Sequence, residues 1–247
     1  MKSLRHCALS WALLLLLQPV ALSAVRPGVA ADVARLQRWA VGSVVSREAV
    51  KTFGEERCFV ACAIDSGVLR RITGKSYVPN PHISPSDLRY LKLLHVDVKG
   101  QVRLGEMICN ARIAAELVEI FRELYRQNYP IERMQLIDDY DADDERSMSH
   151  NNTSCFCYRP VAGSSKLSRH ALGLAVDINP LYNPYVRLLR GGKRFVQPAS
   201  ARAYVNRKAH FFYKLTRGDL CHRLFRERGF EWGGAWQSLK DYQHFEK

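Results

Sequence analysis

Residues 168–177 read Ser-Arg-His-Ala-Leu-Gly-Leu-Ala-Val-Asp, with an imidazole at His170 and a carboxylate at Asp177 on either side of a small-residue turn. Neutral imidazole and carboxylate are both good zinc ligands. Seven positions of unbroken strand would put the two side chains on opposite faces. Gly173 supplies a bend that lets them converge. A second segment, Asp241-Tyr242-Gln243-His244, lies close to residue 247. His244 would complete a His-Asp-His set and leave a fourth position for water, the layout a catalytic zinc requires. Asp241 would then take a proton from that water and pass it to a leaving amine. Taken singly, each segment also has a plain reading: a His and an Asp at a strand end, and a surface turn.

The elements that must position these residues follow from periodicity. Apolar positions Val33, Leu36, Trp39 and Ala40 share a helical face within residues 32–50. Residues 51–75 carry no decisive pattern. Residues 77–85 hold three prolines and read as a loop. Strand-like runs at 91–98 and 102–110 flank Lys99-Gly100, a β-hairpin signal. Residues 111–129 place Ile113, Leu117, Ile120, Phe121 and Leu124 on one face, and Pro130 ends that helix. Residues 134–137 read as a short strand. Residues 138–152 carry six acids without calcium-loop spacing and read as a solvated loop. Residues 174–178 read as a strand followed by a turn at Asn179-Pro180, and 181–206 as loop-rich. A helix is expected within 208–228, before Gly229, and the aromatic residues beyond 230 must pack. The expected class is α+β with one core; no internal repeat points to a solenoid.

The first residues read as a leader. Lys2 and Arg5 precede an apolar run from Ala8 to Val20, and small residues follow at Ala24 and Ala31. This is the layout of a secretory signal peptide, with cleavage after Ala24 or Ala31; the run is short for a membrane span. The expected domains are a signal peptide over 1–31, an N-terminal extension over 32–85 packed on the core, and a catalytic domain over 86–247. Export implies a secreted or periplasmic protein. The six cysteines beyond Cys7 then suggest disulfides whose pairing is open. A cysteine metal site at Cys58/Cys62 or Cys155/Cys157 is the sharper alternative. The formal charge is +13, which favours polyanions at long range. For an exported protein the envelope's anionic polymers fit better than nucleic acid; scattered cations also suit a merely solvated surface.

Together the segments resemble a known family. The order S-x-H-x-x-G-x-A-x-D, then Trp232-Gly233-Gly234-Ala235-Trp236, then D-x-x-H, looks like the VanY-type zinc D-alanyl-D-alanine carboxypeptidases and L-alanyl-D-glutamate endopeptidases. Asn151-Asn152-Thr153-Ser154 leading to Tyr158-Arg159, and Asp177-Ile178-Asn179-Pro180 leading to Asn183-Pro184-Tyr185, continue the resemblance over roughly residues 52–247. It implies a small central antiparallel sheet with helices packed on it and a Hedgehog-like cleft holding Zn2+. By that resemblance His170, Asp177 and His244 hold the metal, Asp241 is the base, and Arg159 faces the developing oxyanion. Ser168 is a substrate contact or a turn cap. Trp232 and Trp236 wall the cleft or pack in the core. Ala235 departs from the family, where an acid is common, and Cys155 and Cys157 stand where relatives carry other residues. The expected activity is hydrolysis of peptidoglycan stem peptides at the D-Ala–D-Ala bond, by a monomer without nucleic-acid partners or stable membrane insertion. The alternatives are an L-Ala–D-Glu endopeptidase and a non-catalytic zinc-containing wall-binding module.

Overall fold

A computed structural model describes residues 27–161 and 166–247. The leader expected over 1–31 lies outside the described residues up to position 26. Helix α1 spans Pro27–Arg38 and buries Val29 and Leu36. A cut after Ala31 would divide this helix, whereas a cut after Ala24 would leave it whole. The helical face expected over 32–50 is interrupted: Trp39 takes φ +50 and Gly42 φ +78, and the Trp39 indole donates to Gly105 O at 3.0 Å. Strand β1 (Val44–Val45) and helix α2 (Arg47–Phe53) follow, with Ser46 capping α2 through Ala49 N.

The undecided stretch 51–75 contains β2 (Val60–Ala63) and α3 (Ser66–Ile72), the latter capped by Asp65. The expected hairpin is present as β3 (Leu88–Val96) and β4 (Val102–Asn110), in continuous register from Leu88↔Asn110 to Val96↔Val102. Its turn is fixed by Asp97, whose Oδ1 accepts from Lys99 N and Gln101 N. The antiparallel order is β1-β4-β3-β2. The expected helix forms as α4 (Ala111–Arg126), and its five named apolar residues are all buried in the main core. Each such side chain contributes roughly 1.5–3 kcal/mol on burial, which holds α4 against the sheet.

Three expectations differ from the structure. Residues 134–137 form no strand; Met134 O accepts from Glu106 N, and Ile137 opens a 3-10 turn to Tyr140. Residues 138–152 are not a solvated loop. Asp138 is buried and accepts from Ser76 N and Oγ, and helix α5 (Asp144–Ser149) is capped by Asp143. Past strand β5 (Ala175–Asp177), the loop-rich 181–206 contains a hairpin of β6 (Tyr185–Leu188) and β7 (Arg194–Gln197). Within 208–228 only Leu220–Glu227 is helical, as α6, capped by Asp219.

The remaining strands are β8 (Glu231–Trp232), β9 (Lys240–Asp241) and β10 (His244–Glu246). They build two further antiparallel sheets, β5-β10-β8 and β7-β6-β9. Among the described residues the fold is therefore α+β with three antiparallel sheets rather than the single one expected. Buried asparagines join the segments. Asn152 bridges Gln135 N and O, Asn179 donates to Pro130 O, and Asn183 donates to Ile178 O and Tyr213 O. Such side chains satisfy backbone groups that irregular chain would leave unpaired.

The disulfides expected from the cysteine count do not form: all six cysteines of the described chain are free. All but Cys62 are buried and act as small apolar packing units. Burial pushes the Cys58 and Cys157 thiols up to about 12. Nor do the cysteines gather into a metal group; among the described residues only His170, Asp177 and His244 do so. Among the described residues no helix is long and apolar enough to cross a membrane.

Candidate active site

Strand alternation explains how the C-terminal segment carries both packing and chemistry. In β10, Phe245 is fully buried and stacks on Phe225 with ring centroids 4.3 Å apart. His244 and Glu246 therefore share the opposite face. The register of β10 on β5 places His244 beside Asp177. His170 arrives from the other side on a 3-10 turn, which Gly173 closes at φ +65. The bend expected at Gly173 is thus the feature that lets residues seven apart meet. A β-carbon there would lie 2.6 Å from Asn110 N, so the turn also packs tightly on the end of β4.

The three donor atoms converge closely. His244 Nδ1 lies 3.0 Å from Asp177 Oδ1, His170 Nε2 lies 3.2 Å from His244 Nδ1, and His170 Nε2 lies 3.4 Å from Asp177 Oδ1. A tetrahedral ion with ligand bonds of about 2 Å needs donors about 3.3 Å apart, so the set fits a zinc-sized cation. The outer partners fix the ring orientation. His170 Nδ1 donates to Cys155 O at 2.6 Å, and His244 Nε2 donates to Glu246 Oε2 at 3.0 Å. One nitrogen of each ring is thereby turned toward the cluster, the usual support for a metal-binding histidine.

Electrostatics favour positive charge at this point. Burial opposes ionisation of Asp177, but the charge of His170 and hydrogen bonds with both imidazoles outweigh it and hold the carboxyl well below the usual range. Burial likewise opposes a charged His244, yet Asp177 and Glu246 raise it to about 10. The hydrogen bond from His244 lowers the Glu246 carboxyl. Asp241 differs: burial raises it to about 7, despite the neighbouring imidazoles. Its Oδ1 is buried with no hydrogen-bond partner. An unpaired carboxylate oxygen is costly to enclose, and one poised near neutrality suits a proton acceptor.

The other sequence-derived residues fall at varied distances from this centre. Arg159 is ion-paired with Asp144 of α5. Burial raises the Asp144 carboxyl, which also feels Arg159 and His170, so the pair borders the cluster. Ser168 Oγ accepts from His170 N at 3.1 Å, the turn-capping arrangement. The Trp236 ring lies 5.5 Å from the His244 ring, while Trp232 is buried in the main core and donates to Tyr242 O. Ala235 is exposed. A cavity of about 950 Å³ lies elsewhere, between residues such as His95, Glu132 and Tyr213, and none of the cluster lines it. Two contributors escaped sequence reading. Glu246 could have been found from period two after His244, and Asp144 was hidden in an acidic run.

Residues 162–247 match the family model of D-alanyl-D-alanine carboxypeptidases, peptidase family M15. The resemblance drawn from the motifs holds over that segment, which contains His170, Asp177, Asp241 and His244; Arg159 precedes it. No curated protein and no solved structure matches the chain. Residues 162–247 are thus similar to D-alanyl-D-alanine carboxypeptidases over about a third of the chain.

Proposed function

We propose that this protein is an exported zinc metallopeptidase that hydrolyses peptidoglycan stem peptides at the D-Ala–D-Ala bond. The observation that carries the reading is the buried, unpaired Oδ1 of the half-buried Asp241 beside three convergent metal donors. His170, Asp177 and His244 would hold the ion, and Glu246 and the Cys155 carbonyl orient the two imidazoles. Zinc, when bound, supplies Lewis acidity toward water and a carbonyl oxygen. Asp241 accepts the proton that water loses on attack and returns it to the leaving amine. Arg159, held by Asp144, offers fixed positive charge for the oxyanion that develops on the carbonyl. Trp236 forms an aromatic wall beside His244. The family match supports the bond class, and the leader-like first residues support an envelope substrate.

The zinc-loaded protein should release one terminal alanine from purified pentapeptide fragments, read by mass spectrometry. Asp241→Asn should retain zinc and lose turnover by about 10²-fold or more. Cleavage between L-Ala and D-Glu would instead establish the endopeptidase reading. Zinc binding with no cleavage of any fragment would favour a wall-binding module, and full activity of Asp241→Asn would remove the proposed base.

A further inference from the structure

The cations of this chain are unevenly spread. Residues 178–218 contain nine lysines and arginines and no aspartate or glutamate. The β6–β7 hairpin gathers four of them at its tip. Residues 187–195, Arg-Leu-Leu-Arg-Gly-Gly-Lys-Arg-Phe, are all exposed. Among the described residues, Arg187, Arg190, Lys193 and Arg194 have no carboxylate partner. The tip is a formed structure. Its strands pair from Tyr185↔Gln197 to Leu188↔Arg194, Leu189 N donates to Lys193 O at 2.7 Å, and Gly191 and Gly192 turn the chain at positive φ.

Three large apolar side chains share this tip: Leu188 is 66 % exposed, Leu189 39 % and Phe195 41 %. The Arg187 guanidinium sits 5.7 Å over the Phe195 ring, so charge and apolar surface are interleaved. Cations alone would suit any hydrated polyanion. Exposed leucine and phenylalanine gain nothing from a hydrated polymer, but they gain from the boundary between lipid headgroups and acyl chains. An acid-free, strand-paired, cationic and apolar tip therefore fits one occupant better than the others.

We propose that the β6–β7 tip docks this protein on an anionic phospholipid bilayer. Leu188, Leu189 and Phe195 enter the headgroup boundary, while the four cations face anionic headgroups. The inference stands without the peptidase reading. With that reading it gains a consequence: β6 also pairs with β9, Tyr185 opposite Asp241, so docking would turn the base-bearing edge of the site toward the membrane surface.

The test is cosedimentation of the full chain with unilamellar vesicles of phosphatidylcholine alone or with one quarter phosphatidylglycerol. Wild type should bind the anionic vesicles and release at high salt. Each cation near such a surface is worth about fivefold, so Arg190→Gln with Lys193→Gln should weaken binding roughly 25-fold. Leu188→Ser with Leu189→Ser should weaken it by about tenfold or more with an unchanged melting temperature. All variants share residues 1–26, so the differences report the hairpin. Equal binding by wild type and both variants would overturn the proposal. So would an unaffected leucine variant whose binding soluble polyphosphate abolishes, since that result assigns the tip to a hydrated polyanion.

Discussion

Glu246 and Asp241 both lie near His244, but their carboxylates do different work. Glu246 accepts from His244 Nε2 and so governs how well the opposite nitrogen donates to a metal. Glu246→Gln keeps a hydrogen-bond partner but removes the charge. It should weaken zinc affinity about 10–100-fold, measured by competition with a chromophoric chelator, with little change in melting temperature. Asp241 should instead shape the pH response. Its folded carboxyl is raised to about 7 from an unfolded value near 3.8, so the folded metal-free protein holds this proton where the unfolded chain has lost it. Its contribution is fully present below pH 3.8 and is lost as pH rises toward 7. Asp241→Asn should flatten the decline over that window in denaturant midpoints; an unchanged slope would show that the carboxyl is not raised. The proposed donors and the proposed base could be named from sequence because each sits in a short spaced motif. Arg159 was legible through its neighbours, but its Asp144 partner was not, because an acidic run looks solvated until a helix turns one member inward.

At the scale of elements, two glycines would separate the proposed metal binding from the proposed proton transfer. A β-carbon at Gly173 would meet Asn110 N at 2.6 Å, in a conformation with φ +65. Gly173→Ala should cost roughly 1–2 kcal/mol for the left-handed backbone alone, plus the collision. It should also weaken zinc binding, because His170 opens the same turn. A β-carbon at Gly233 would lie 2.7 Å from Asp241 O and 2.8 Å from Asp241 Cβ. Gly233→Ala should therefore displace the base while leaving the donors in place. Zinc stoichiometry should stay at one per chain while kcat falls by about 10²-fold; metal analysis beside steady-state kinetics distinguishes the two variants. The β3–β4 hairpin and α4 were readable because period and turn chemistry are local. The β6–β7 hairpin and α5 were not. The first takes its place from β9, some fifty residues onward, and the second packs near the 3-10 turns at 137–140 and 199–204.

For the molecule as a whole, stability against pH should be set by opposing buried groups. His95 is enclosed in the core, and its Nδ1 donates to Ile131 O at 2.7 Å. Burial lowers its pKa to about 4 from an ordinary 6.5. The folded protein thus keeps His95 neutral where the unfolded chain binds a proton. The resulting stability is intact above pH 6.5 and is lost as pH falls toward 4. By itself this removes about 2 kcal/mol between pH 7 and pH 5. Asp241 acts in the opposite sense over an overlapping window, so the metal-free wild type should show a shallow profile there. A zinc ion near Asp241 favours its ionised form and removes that compensation. The zinc-loaded protein should therefore lose stability more steeply on acidification than the metal-free one. His95→Asn retains a donor for Ile131 O at a packing cost of about 1–2 kcal/mol at neutral pH. It should remove most of the steep acid limb in the zinc-loaded protein, measured by denaturant midpoints from pH 5 to 7.5. A limb of unchanged steepness would mean that release of the metal itself controls acid unfolding.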